Sequence, residues 1–554
     1  MIAMNVSESA CDGLAGFAIA RSTDGTNFTY SKNRLGFDPK LGAYATKDPN
    51  QQLKDQLPSN QSPYQKFRWV DYPPDGNTAS VTYRVEALYF AADSPASATT
   101  PALTTQYSVT FPIALAGDAY PNFSIGFTRG YISSQAFVDR YQGVKELRPS
   151  NTVQYDTNQN VPGANPAVTW RAMYEWLGAH GRSILSDFTE LVKKDGQGFD
   201  VFAYDLDEPD FIEFMVEQAK AGRPVRMVLD NATLHTKPGA REIQAAQVLG
   251  AAGVKILRGH FRRYAHDKCV IERDAQGNAV RVLTGSANFS VRGLYVQSNS
   301  VIAIDDPQVA DLYGKAFDEA WSDMSGFAHA EIASEWFDAE GTGIPAFSVS
   351  FAPHETASVS LDRVAAAIKN AKSSVLFAVM ELTGGGEVLQ ELTTLQQRSD
   401  IFSYGVTQTT AGVKFYKGGG ANGLLVPFSF LKAHVPAPFS AEWNGGMGQV
   451  IHHKFVVVDF NEAQPLVYCG SSNLAEGGEE SNGDNLLEIR DPAIAALYAV
   501  EAIELVDHYE FRSLQSTATQ AQPLVLQGPQ APPWWKASYD PTNIKCRERE
   551  LFVS

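Results

Sequence analysis

The chain has 554 residues, 44% of them hydrophobic and 19% charged, with a formal net charge of −17. That length leaves room for roughly three to four domains and a large core, while the acidic balance disfavours a nucleic-acid binder, whose footprint is a basic stripe, and broad adhesion to anionic membranes. No stretch approaches the roughly 18 apolar residues of a membrane span, and four cysteines do not make a disulfide framework. Residues 1–8 show no basic n-region or long apolar h-region, so the expectation is a cytoplasmic protein or one exported without a visible signal.

In chain order, residues 1–118 are predicted to be an all-β, sandwich-like module. Residues 16–20 and 81–89 alternate as half-buried strands, and turn clusters at 24–27 and 73–77 separate them. The pattern is similar to a fibronectin type III module. From about 120 the pattern alternates between strand and helix. Strands are expected at 199–204, 225–229 and 254–257, with helices at 210–221 and 240–252 between them. The second half repeats this order, with a helix at 361–371, a strand at 374–380, a helix at 387–397 and a strand at 413–416. The expected fold class is α/β, with two homologous lobes at 119–345 and 346–554 containing mixed sheets. A Pro-rich tail bearing Trp534 and Trp535 is expected to cap a lobe. Between 418 and 448 a Gly-rich loop carries Leu424, Leu425 and Phe428, which suits either packing against the neighbouring lobe or contact with lipid.

A cassette occurs twice. His266-Asp267-Lys268 leads through a hydrophobic strand to Gly285-Ser286-Ala287-Asn288, and His452-His453-Lys454 leads through Phe455 to Asp459 and on to Gly470-Ser471-Ser472-Asn473. His and Lys two apart on a strand leave the same face of the sheet. Imidazole serves as nucleophile or general acid near neutrality. Lysine ammoniums and asparagine amides supply fixed donors for the oxygens of a phosphoryl group in transfer. Two half-sites meeting at one phosphate predict a phosphodiesterase. His235-Thr236-Lys237 has no following strand or Gly-Ser-x-Asn, and with Pro238 and Gly239 behind it the triplet is expected to be a solvated turn. Arg258, His260, Arg262 and Arg263 are candidates for a positive approach to the phosphate. Without C-x-x-C, H-E-x-x-H or a calcium-loop pattern, no metal and no cofactor is expected.

These cassettes resemble the phospholipase D superfamily, whose signature is H-x-K-x4-D followed by G-S-x-N. His452, Lys454 and Asp459 fit it in full; in the first copy Arg273 stands at the Asp position, with Asp274 displaced by one. The resemblance spans about 130–545 and implies a metal-independent, ping-pong route through a phosphohistidine. It implies His266 as nucleophile, His452 as acid and then base, and Asp459 as a further member of the catalytic set. Lys268, Lys454, Asn288 and Asn473 would hold the phosphate, with Ser286 and Ser471 supporting. Asp484 matches an acidic residue that orients a motif histidine, and the matching stretch 297–301 offers only Ser298. The expected activity is a phospholipase D hydrolysing headgroups, with transphosphatidylation, by a monomer acting on phospholipid at a membrane surface. The alternative is a nuclease of the same superfamily. Phosphatidyl transfer in biosynthesis and a catalytically dead binding protein stand further off.

Overall fold

A computed structural model describes residues 1–71, 80–92, 100–115, 119–380, 385–418, 423–442 and 450–553. The turn at 73–77 and the loop segments 419–420 and 443–448 singled out above lie outside the described residues.

In the N-terminal part, four strands pair antiparallel in the order Thr29–Tyr30, Leu14–Ser22, Ser80–Phe90, Leu103–Ala114. Alternation along Ser80–Phe90 sends Val81, Tyr83, Val85 and Ala87 into a core shared with Leu14, Phe17 and Ile19. Among the described residues there is no second large sheet facing this one, unlike a fibronectin sandwich; two-residue strand pairs and the helix Pro49–Lys54 complete the region. The apolar face is covered instead by the C-terminal tail. Trp534 packs on Phe17 and Phe67 and donates Nε1–H to the Leu14 carbonyl at 3.0 Å, and Trp535 is buried in the same cluster. The tail therefore caps the N-terminal sheet rather than a lobe. Arg68 and Lys66 tie this region to Asp507 on the long C-terminal helix of the second lobe.

The two cassettes lie in two mixed α/β sheets of matching order. In the first the strands run Lys255–Gly259, Val225–Asp230, Gly198–Ala203, Cys269–Arg273, Ala279–Gly285, Ser300–Ile304, Phe123–Phe127. In the second, Gly412–Lys417, Phe402–Gln408, Ser374–Val379, Lys454–Val458, Leu466–Gly470, Asn482–Ile489 and Phe347–Ala352 occupy the same places. The strands after each H-x-K are rich in β-branched residues. Val270, Ile271, Val456 and Val457 are fully buried, each contributing about 1.5–3 kcal/mol. After each motif a Pro-initiated helix begins, Pro307–Asp323 and Pro492–Thr517. Asp306 and Asp491 cap them through Val309 N–H and Ile494 N–H, each cap worth about 1 kcal/mol.

The repeat is incomplete. In the first lobe the helix Arg241–Ala252 crosses over, so Lys255–Gly259 joins Val225–Asp230 in parallel. In the second, only a short turn separates Phe402–Gln408 from Gly412–Lys417, and the two pair antiparallel. The strand at 402–408 escapes the sequence pattern because it is buried on both faces and shows no alternation. The first cassette also carries a bulge between Glu272 and Arg273, which accommodates its one extra residue between His and Gly-Ser.

Candidate functional site

The two lobes exchange short pieces of backbone at their shared edge. Tyr264 and Ala265 pair in parallel with Asn482 and Gly483, and Ser298 bridges to Ile451 in the same sense. As a result, His266 donates its backbone N–H to the Gly483 carbonyl at 3.0 Å, and His452 donates its own to the Ser298 carbonyl at 3.2 Å. Each motif histidine is thus seated on the opposite lobe.

The same exchange orients the imidazoles. His266 Nδ1 lies 2.7 Å from Asp484 Oδ1, and His452 Nδ1 lies 2.9 Å from Asn299 Oδ1 and 3.1 Å from the Ser286 carbonyl. A carboxylate or carbonyl acceptor at Nδ1 fixes the N–H there and leaves Nε2 with its lone pair. The partner of His452 is Asn299, not the Ser298 expected. Ser298 corresponds to Gly483, as the backbone bonds show. Counted from the motif asparagines, Asn299 and Asp484 both fall eleven residues on. Counting from the histidines misaligns them, because the bulged first cassette is one residue longer.

Both histidines and both lysines are almost wholly buried. Burial and the flanking Lys268 and Lys454 hold His266 well below its ordinary pKa, and burial with the same lysines does so for His452. Both rings are therefore neutral at neutral pH. Burial and Lys268 also push Lys454 far down, and burial lowers Lys268. Four positive-capable groups enclosed together without bulk solvent favour an incoming anion. Lys454 Nζ rests on the His452 carbonyl at 2.8 Å and Lys268 Nζ on that of His266. Asn288 donates Nδ2–H to Asp205 Oδ2 at 2.8 Å. The Oδ1 atoms of Asn288 and Asn473 are buried without a hydrogen-bond partner.

Other expected site residues take different duties. Ser286 Oγ donates to Asn299 Oδ1 at 2.8 Å and accepts from Ser300 N–H, while Ser471 Oγ accepts from Asn485 N–H at 2.9 Å. Both hydroxyls brace the strands that carry the orienting residues rather than face a ligand. Asp459 stands at the far end of its strand from Lys454, with φ +55°. Its carboxylate gathers the backbone N–H groups of Lys372, Ser373 and Ser374 at 2.8–3.1 Å. It anchors the neighbouring strand and does not reach the pocket. In the first lobe Arg273 does comparable work through Asp200, and Asp274 caps its own hairpin turn. Arg258 points inward to the carbonyls of Asp230 and His235, and Arg262 and Arg263 bond to Glu480 and Asn482 of the second lobe. They join the lobes.

His235 is not a solvated turn. It is fully buried in the short helix Thr233–Thr236, with Nδ1 2.7 Å from Asp230 Oδ1 and Nε2 2.8 Å from Asp205 Oδ1. Asp205, His235 and Glu242 bring ligand-type atoms within 4.8 Å of one another. Because both ring nitrogens already face carboxylate oxygens at hydrogen-bond distance, protons occupy the places a metal would take. Sequence spacing had set this triplet aside; an Asp five residues upstream at the end of a buried strand was the signal available.

The fold and site define a duplicated α/β protein whose two H-x-K motifs meet where the lobes exchange backbone. Residues 189–321 match the family model described as cardiolipin synthase, PLD-like domain. No curated protein matches the sequence. Among solved structures it is similar to the phospholipase D family member Nuc from Salmonella typhimurium, at 22% identity over 26% of this chain and 88% of that one, TM-score 0.23. It is also similar to phosphatidylserine synthase from Haemophilus influenzae Rd KW20, at 12% identity over 67% and 91%, TM-score 0.41. A third similarity is to polyphosphate kinase from Porphyromonas gingivalis, at 10% identity over 60% and 48%, TM-score 0.38.

Proposed function

We propose that this chain is a phospholipase D-type phosphodiesterase that splits headgroup alcohols from phospholipids through a phosphohistidine on His266. The observation that carries this reading is the unequal pairing of the two imidazoles. Asp484 gives His266 a carboxylate, which stabilises the positive charge the ring gains when Nε2 attacks phosphorus. Asn299 gives His452 only an amide oxygen, which fixes the ring without holding it cationic. His266 Nε2 forms the P–N bond as the P–O bond to the headgroup breaks, and the departing oxygen takes the proton from His452 Nε2. That proton is available once the phosphodiester anion lies among Lys268, Lys454 and His452 and raises the depressed pKa of the ring. Neutral His452 then takes a proton from water, whose oxygen displaces the His266 nitrogen and restores the enzyme. An alcohol in place of water gives transphosphatidylation. Nucleophile, acid and charge stabilisation all come from side chains, so this sequence of steps needs no metal at phosphorus.

A lipid substrate is supported by the edge strand Leu424–Pro427, where Leu424 and Leu425 are 55% and 38% exposed. No described helix is long and apolar enough to cross a membrane. The test is headgroup release from phosphatidylcholine and phosphatidylethanolamine vesicles with EDTA and ethanol present. Release together with phosphatidylethanol is the expected result. No release, with cleavage of single-stranded DNA or RNA instead, replaces the lipid reading with the nuclease one.

A further inference from the structure

The buried triplet around His235 has no part in the mechanism above, yet it reaches the phosphate pocket in two bonds. Ionised carboxylates only accept hydrogen bonds. An imidazole held at 2.7 Å to Asp230 and 2.8 Å to Asp205 therefore satisfies both only with a proton on each nitrogen. Asp205 divides its oxygens, Oδ1 toward His235 and Oδ2 toward the Asn288 amide. Asp230 divides its own, Oδ1 toward His235 and Oδ2 toward the backbone N–H of Ala265, the residue before His266. The Tyr204 ring lies between the two imidazoles, 4.6 Å from His235 and 4.9 Å from His266.

We propose that His235 is a positioning residue of the phosphate pocket: as a buried imidazolium it cancels the charge of Asp205, so that Asp205 can aim the Asn288 amide at the phosphate without repelling it. Asp205 is the one member of this chain of bonds open to solvent, its side chain 23% exposed against none for His235 and Asp230. An uncompensated carboxylate at that place would oppose every anionic ligand. The electrostatics agree with the geometry. Burial works against the charged ring, but the bonds to Asp205 and Asp230 raise His235 to about 9. Burial pushes Asp205 up, and the His235 bond and charge bring it below its ordinary value. The second lobe lacks the crossover helix that follows this segment, and among its described residues no histidine stands in the corresponding place. The device therefore belongs to the half-site of Asn288.

This inference rests on the phosphate-pocket reading of the site, and the experiment separates the two. Inorganic phosphate is titrated calorimetrically into the full chain, and steady-state kinetics are run with bis(p-nitrophenyl) phosphate. Wild type binds phosphate. His235→Gln, which keeps one hydrogen bond but no charge, binds it at least about tenfold more weakly, with the loss in KM and kcat within about threefold. Adding Asp205→Asn to that variant removes the charge left uncompensated and restores binding to within about threefold of wild type, a rescue that a merely structural role would not give. Phosphate binding by His235→Gln equal to wild type, or a double variant no better than the single, overturns the proposal. If His235→Gln fails to fold, Asp205→Asn alone decides: it should bind phosphate at least as tightly as wild type, and a tenfold loss overturns the idea. Wild type that binds no phosphate would overturn the pocket reading itself and this inference with it.

Discussion

Replacing Asp484 by Asn leaves an acceptor of nearly the same shape opposite His266 Nδ1 and removes only its charge. The bond is 2.7 Å long between two groups that are 5% and 1% exposed, so solvent screens it little. Hydrogen bonds to a charged partner contribute about 1.5–3 kcal/mol against about 0.5–1.5 for neutral ones. The midpoints of these ranges differ by about 1.3 kcal/mol, which gives the lower estimate. When Nε2 attacks phosphorus the ring becomes cationic, and a full negative charge about 4 Å from its centre is worth up to about 4 kcal/mol at an effective dielectric of about 20, which sets the ceiling. The expected loss in kcat is therefore between about 10-fold and 1000-fold. On the proposed reading KM is set by the lysines and asparagines, so it should move less than about threefold. Rapid-quench measurement with a labelled phosphodiester reads the step directly, as slower appearance of label on His266. A variant whose kcat stays within about threefold of wild type, or whose loss lies in KM, refutes the idea that this carboxylate drives the attack.

Asp459→Ala tests the reassignment of that residue from catalysis to anchoring. Losing the acceptor for three backbone N–H groups should cost about 2–3 kcal/mol and lower the melting temperature by several degrees, with kcat of the folded protein unchanged. A collapse of kcat at unchanged melting temperature would return Asp459 to the chemistry. Glu208 predicts a pH effect on stability. It is fully buried, caps the helix Pro209–Lys220 through Phe211 N–H, and burial raises it to about 7, against the pull of Arg182. A raised carboxyl pKa means that the folded state binds its proton more tightly. The contribution is thus present below about pH 4.5 and is lost as pH rises to about 7, roughly 3 kcal/mol in all. Denaturant titrations of Glu208→Gln should show a flatter stability between pH 5 and 8 than wild type; equal slopes would contradict the assignment.

The sequence alone determined the candidate set and its duplication. H-x-K, the β-branched strand after it and Gly-Ser-x-Asn are local patterns, so period, turn residues and spacing make His266, Lys268, Asn288 and their second-copy counterparts legible without a fold. The mixed α/β architecture followed for the same reason, since most of its helices and strands announce themselves in contiguous residues. Asp459 shows where spacing misleads: it sits at the family position, but a five-residue strand carries it away from the pocket. The orienting partners lie farther still from local pattern, because His266 takes its carboxylate from 218 residues away and His452 its amide from 153. One bulged residue was enough to put Ser298 in place of Asn299. His235 resembled a loop because its partners, Asp205 and Asp230, close around it only when two strands align. Hydrogen bonds and burial between distant segments are properties of the assembled lobes, and no periodicity in the chain encodes which carboxylate will face which imidazole.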